Sequence, residues 1–178
     1  MNLQPLFETQ KILDQRIIKQ HGLEGQDLLP QKILALQVEL GECANEWRGF
    51  KFWSKNQKPN LYKEEIDLEN DRFRSFNPLL EEYVDCLHFI LSIGIEMDME
   101  EAEVYRYKRN LEQNDNVVDS FMDVFQRVSE LDLPTSDFSH TLSRFIELGE
   151  MLGFTWSQIE QAYYSKNEIN HSRQDTGY

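Results

Sequence analysis

A chain of 178 residues has the length of one domain that can bury a core, and 40% apolar with 12% aromatic content places it among folded rather than disordered chains. A formal charge of −14 excludes binding a nucleic-acid polymer through its backbone, which needs a basic surface. It does not exclude a nucleotide held beside divalent metal, because the ion reverses the sign of an acidic site.

The N-terminal stretch MNLQPLFETQKILDQRI is too broken by polar residues to be a signal peptide, and no apolar run reaches membrane-spanning length. A cytoplasmic protein without membrane contact is therefore expected. Leu3 to Gln20 reads as an amphipathic helix through Leu6, Leu13 and Ile17, closed by Gly22 and Gly25. Pro30 suits the first turn of a second helix that runs to Trp47 and is ended by Gly49. Its buried stripe is Ile33, Leu36, Leu40, Cys43 and Trp47, and Glu39, Glu42 and Glu46 form the stripe beside it, at the rim of the core.

An aromatic, basic run follows, FKFWSKNQK, and then a polar segment, 54–77, without sustained periodicity. That segment is expected to be an insertion with a short helix near Tyr62 to Asn70. Pro78 opens a second acidic helix, LLEEYVDCLHFILSIG, where Glu82 and Asp85 stand three apart. Its apolar face is broad enough to be covered on two sides, in a bundle or a dimer core. Helices are expected at Glu100–Glu112, at Val117–Leu131, and from a Thr/Ser/Asp cluster beyond Pro134 to Leu152. Thr155 and Gln158 form a capping-box signature for a last helix reaching about Asn170. There is no alternating strand pattern and no internal repeat. The expected fold class is all-α, a helical bundle forming one domain over 1–178.

Carboxylates three apart on a helix point the same way, so Glu39 with Glu42 and Glu82 with Asp85 offer two pairs to a shared space. Several hard oxygen ligands favour Mg²⁺ or Mn²⁺ over zinc or copper, and neither Cys nor His stands at a zinc-like spacing. Such a cation cancels phosphate charge while a carboxylate takes a proton from attacking water. A solvated acidic face is the plain alternative. Near the C-terminus, Lys166, Asn170 and Arg173 share one helical face and suit phosphate oxygens, with an exposed polar tail as the alternative. Cys43 and Cys86, both inside helices, read as small core residues rather than a disulfide. Trp47 and His88 read as core, Glu46 as a support to the ligands, and Trp53 as open to stacking on a base.

The E-x-x-E and E-x-x-D pairs resemble the motifs of the all-α NTP pyrophosphohydrolases, the superfamily that includes MazG-like proteins. Together, ELGECANEWRGFKFWSK, VDCLHFILSIG and KNEINHSRQDTGY resemble the dimeric dUTPases. The resemblance spans Leu6 to Tyr178, with 54–77 and 98–150 matching loosely. It implies hydrolysis of dUTP to dUMP and pyrophosphate at Mg²⁺ held by Glu39, Glu42, Glu82 and Asp85, with Glu39 activating the water. It implies that Lys166, Asn170, Arg173 and Tyr178, in a closing motif at 165–178, bind phosphate. Gln10 and position 14 would meet the uracil and sugar, Trp53 the base, and a homodimer would complete the sites. Position 14 is Asp14 where the family more commonly has Asn, and an ionised carboxylate only accepts hydrogen bonds. A related enzyme preferring dCTP, and a non-catalytic helical interaction protein, are the alternatives.

Overall fold

The computed structural model describes residues 1–67, 72–99, 114, 116–133 and 136–177. Among them are six helices and one two-stranded sheet: α1 (Gln4–His21), α2 (Leu29–Trp47), β1 (Lys63–Asp67), β2 (Arg72–Phe76), α3 (Pro78–Glu96), α4 (Val117–Ser129), α5 (Phe138–Met151) and α6 (Trp156–Thr176). The fold is all-α apart from that small hairpin. The helix expected at Glu100–Glu112 lies outside the described residues.

Side chains set the helix starts. Asn77, Asn116 and Asp137 each accept a hydrogen bond from a backbone N–H of the first turn of α3, α4 and α5. Thr155 and Gln158 complete the reciprocal capping box of α6. That helix then continues past Asn170 to Thr176, so the phosphate-binding motif expected near the C-terminus is helical up to that residue.

α3 is the central element. Tyr83, Val84, Cys86, Leu87, Ile90, Leu91 and Ile93 are all buried, and the helix packs on α1, α2, α5 and α6. Its wide apolar face is thus covered within the chain. Each fully buried Leu or Ile contributes about 1.5–3 kcal/mol, and Leu3, Leu6, Leu36, Leu40 and Leu79 join the same core. Cys43 and Cys86 are buried free thiols, as expected of core residues. Among the described residues no helix is long and apolar enough to cross a membrane.

Two readings need correction. Part of the stretch expected to form a helix near Tyr62 is a strand, with Glu65 paired to Arg74 and Ile66 to Phe73 across an antiparallel ladder. Its Ile66 and Phe73 side chains are exposed, so neither face carries the buried alternation that marks a strand. Charge and ring contacts take the place of a core: Arg74 lies 3.7 Å from Glu65, and its guanidinium sits 4.3 Å from the Phe76 ring centre. The end of α2 also differs. Arg48, not Gly49, adopts the left-handed conformation, at φ 65°, and its guanidinium donates to the Asn56 carbonyl at 3.1 and 3.2 Å. Gly49 is required for space, since a Cβ there would lie 2.3 Å from the Trp47 ring.

A second glycine is bound by packing. Gly149 of α5 faces Tyr83, whose ring stacks on Phe145 at 4.5 Å and whose hydroxyl donates to the Phe145 carbonyl at 3.1 Å. A Cβ at 149 would lie 2.4 Å from that hydroxyl oxygen, and the ring has nowhere to go. Gly149→Ala is expected to destabilise the fold by about 1–3 kcal/mol through overpacking, despite the better helix propensity of alanine. Urea unfolding monitored by circular dichroism measures this.

Candidate active site

The helical repeat carries the acidic residues of α2 and α3 to one place because the apolar stripes beneath them pack together. Glu39, Glu42 and Glu82 each direct a carboxylate oxygen into one cluster whose oxygens lie within 4.8 Å of one another. Burial pushes the Glu39 carboxyl up to about 7, aided by the charges of Asp85 and Glu42. Burial likewise pushes Glu82 up to about 7, aided by Asp85, Glu42 and Glu39. Like charges crowded at a half-buried site form an arrangement that a hard divalent cation relieves. The donor set, all carboxylate oxygen, fits such an ion.

Asp85 lies beside this cluster rather than in it. Its Oδ2 accepts from Lys166 Nζ at 2.7 Å, and the same ammonium donates to Glu81 Oε1 at 3.0 Å. Arg74 then donates to Glu81 Oε2 at 2.6 Å. Burial raises the Asp85 carboxyl, with Lys166 opposing the rise. At Glu81 burial acts upward too, but the Arg74 hydrogen bond and the Lys166 charge outweigh it and hold the group below its usual range. A buried lysine on α6 thus joins two acidic residues of α3.

A cavity of about 340 Å³ opens next to the carboxylates. Glu39, Asp85, Asn170 and Arg173 line one part of it, and Gln10, Asp14, His88 and Ser92 another. The second group is a buried hydrogen-bonded network. Gln10 Nε2 donates to Asp14 Oδ1 at 2.7 Å, and Ser92 Oγ donates to Asp14 Oδ2 at 2.6 Å. On its other side Gln10 Oε1 meets His88 Nδ1 at 2.7 Å and accepts from the Tyr163 hydroxyl at 3.0 Å. Burial holds His88 down to about 3, so the ring is neutral, and it stacks on Tyr163 at 4.3 Å. Burial raises the Asp14 carboxyl while Ser92, Gln10 and Lys32 oppose the rise.

A family model described as dUTPase matches residues 2–178 of this chain. The chain belongs to the dUTPase family. Hydrolysis of dUTP to dUMP and pyrophosphate is the activity that goes with this membership, and the helical fold agrees with the MazG-like placement. Among curated proteins, none matches the chain.

The structure brings most of the expected site residues of this dUTPase to one region, though not all of them. Gln10, Asp14, Glu39, Asp85, Asn170 and Arg173 line the cavity, and Glu42 and Glu82 stand in the carboxylate cluster beside it. Trp53 does not line the cavity. It is 66% exposed, edge-on to Phe50 and Phe52 at 5.8 and 5.0 Å. Tyr178 lies outside the described residues. Glu46, expected as a support, accepts from Asn60 Nδ2 at 2.7 Å and lines a groove of about 600 Å³ with Glu82, Arg74 and Arg173. Trp47 packs against the core beside Phe121, as expected.

Sequence reasoning missed Glu81, Ser92, Tyr163 and the ring nitrogen chemistry of His88. Glu81 adjoins Glu82 and was hidden by the motif spacing. Ser92 and Tyr163 sit among apolar residues, and only their spatial meeting with Asp14 and Gln10 gives them a role.

The shifted groups make stability depend on pH. Glu39 and Glu82 retain protons to about 7, whereas an unfolded glutamate releases its proton near ~4.3. Between those values the folded chain binds more protons on these residues, so their contribution falls as pH rises. His88 acts oppositely: held down to about 3, it favours the folded chain as pH rises to about 6.5, where unfolded histidine has lost its proton. In chelator, the melting temperature is expected to fall from about pH 6.5 to about pH 8, where the glutamates act without that opposition. Glu82→Gln, or a divalent cation, is expected to flatten this decline in scanning calorimetry.

Proposed function

We propose that this dUTPase works with Mg²⁺, Mn²⁺ serving as a substitute, held by Glu39, Glu42 and Glu82 with Asp85 as a further ligand. The observation that carries this reading is the carboxylate cluster opening beside a nucleotide-sized cavity that Arg173 also lines. The bound ion supplies charge neutralisation at the phosphates. Glu39 takes a proton from the attacking water. The water oxygen bonds to phosphorus as the link between the α- and β-phosphoryl groups breaks, giving dUMP and pyrophosphate.

Arg173, Asn170 and Tyr178 receive phosphate oxygens, and Lys166, bound to Asp85 and Glu81 without ligand, would join them where Asp85 served as a ligand to the ion. Gln10 and Asp14 meet the nucleoside, and Trp53 closes over the base. The enzyme acts in the cytoplasm as a homodimer. Leu34 and Val38, four residues apart on α2, remain 62% and 51% exposed, which supports an apolar contact with a second copy.

Pyrophosphate release from dUTP, measured with and without Mg²⁺, tests the reading. Glu39→Gln is expected to lower kcat by about 10²–10⁴-fold with the fold intact by circular dichroism. Near-normal turnover by that variant would remove Glu39 as the base. Light scattering is expected to give the mass of two chains.

A further inference from the structure

Glu81 stands outside the acidic motif of α3, yet both of its carboxylate oxygens are engaged by cations from other elements. Oε1 accepts from Lys166 of α6 at 3.0 Å, and Oε2 accepts from Arg74 of β2 at 2.6 Å. Residues four apart on a helix lie on one side of it, so Glu81 and Asp85 face Lys166 together, and Asp85 accepts from the same ammonium at 2.7 Å. Asp85 is also three residues from Glu82, a member of the carboxylate cluster. It therefore belongs to two pairs, one with Glu82 and one with Glu81, whereas Glu81 serves the lysine and the hairpin.

Lys166 depends on this arrangement. A lysine side chain is a flexible four-carbon stem that ends in a point charge, and its own geometry does not fix where that charge sits. Packing does not close around Lys166 either, since it lines a cavity of about 280 Å³ with Leu80, Val84, Ala162 and Ile169. The two carboxylates set the position of its ammonium. Should Asp85 serve the ion, one of the two is withdrawn, and Glu81 is the one that remains. Glu81 is itself held at its other oxygen, because the Arg74 guanidinium lies 3.7 Å from Glu65 and 4.3 Å from the Phe76 ring centre.

We propose that Glu81 is a positioning residue for phosphate binding: clasped by Arg74 of the hairpin, it keeps the Lys166 ammonium beside the carboxylate cluster, where the phosphoryl groups arrive. It acts through Lys166 rather than on the nucleotide or the ion. The hairpin thereby gains a part in the reaction without Arg74 having to reach the substrate. This inference rests on the reading that Lys166 meets phosphate.

The test is a double-mutant cycle on dUTP turnover with Mg²⁺, using Glu81→Gln, Lys166→Met and the double variant, each checked for fold by circular dichroism. Glutamine keeps the size of the side chain but has one accepting oxygen in place of two, so it cannot hold both cations. Glu81→Gln is expected to lower kcat/KM about tenfold, mainly by raising KM, and to cost less than about twofold once Lys166 is methionine. Arg74→Gln, at a partly exposed position, decides the matter should Glu81→Gln fail to fold. Its loss, about threefold, is likewise expected to vanish in the Lys166→Met background. A structural or general charge effect would be the same with or without Lys166, so additive losses overturn the proposal, as does an unchanged kcat/KM in Glu81→Gln. Unchanged kcat/KM in Lys166→Met, or a wild type that releases no pyrophosphate, would instead overturn the reading beneath it, and the proposal with it.

Discussion

Packing α2 against α3 forces carboxylates into mutual contact, and much of the structure responds to that constraint. Two like charges about 4 Å apart repel by about 4 kcal/mol at an effective dielectric constant of ~20. The acidic residues cannot separate, because Leu36, Leu40 and Cys43 on one helix and Leu79 and Cys86 on the other are fully buried in the common core. Apolar burial therefore holds the site in its crowded form. The excess negative charge is met from elsewhere: from α6 by Lys166, and from the hairpin by Arg74.

α6 serves two parts of the site at once. Lys166 reaches the acidic residues, while Asn170 and Arg173, one and two turns further on, line the cavity. α1 ties this helix down: Arg16 pairs with Asp175 and lies 3.2 Å from His171, and Gln20 donates to the Gln174 carbonyl. Gln10 and Asp14 come from the same α1, so the groups assigned to the nucleoside and those assigned to phosphate stand on helices joined to each other.

What could be read from the chain beforehand followed physical signal strength. Glu39, Glu42 and Glu82 were legible because motif spacing and an apolar stripe agree on which way they point. The helices of the core were legible by their apolar periodicity, and α6 by its capping box. The hairpin was not, since its pairing uses Glu65, Arg74 and exposed Phe73 in place of a buried face. Lys166 looked like a free phosphate ligand, but its length lets it bridge Asp85 and Glu81 across 81 and 85 residues of sequence, a distance no local pattern records. The partners of Asp14 were hidden for a like reason: Gln10 stands one turn away on α1, but Ser92 comes from α3.

The hairpin has a further consequence. Among the described residues it contributes no side chain to the apolar core, and Arg74 links it to α3 through Glu81. Such a link is electrostatic and partly exposed, so it weakens as dissolved salt screens it, while the buried helix contacts are far less affected. One wall of the groove beside the carboxylates is therefore fastened by a force that the surrounding medium can tune, and the opposite wall by one that it cannot.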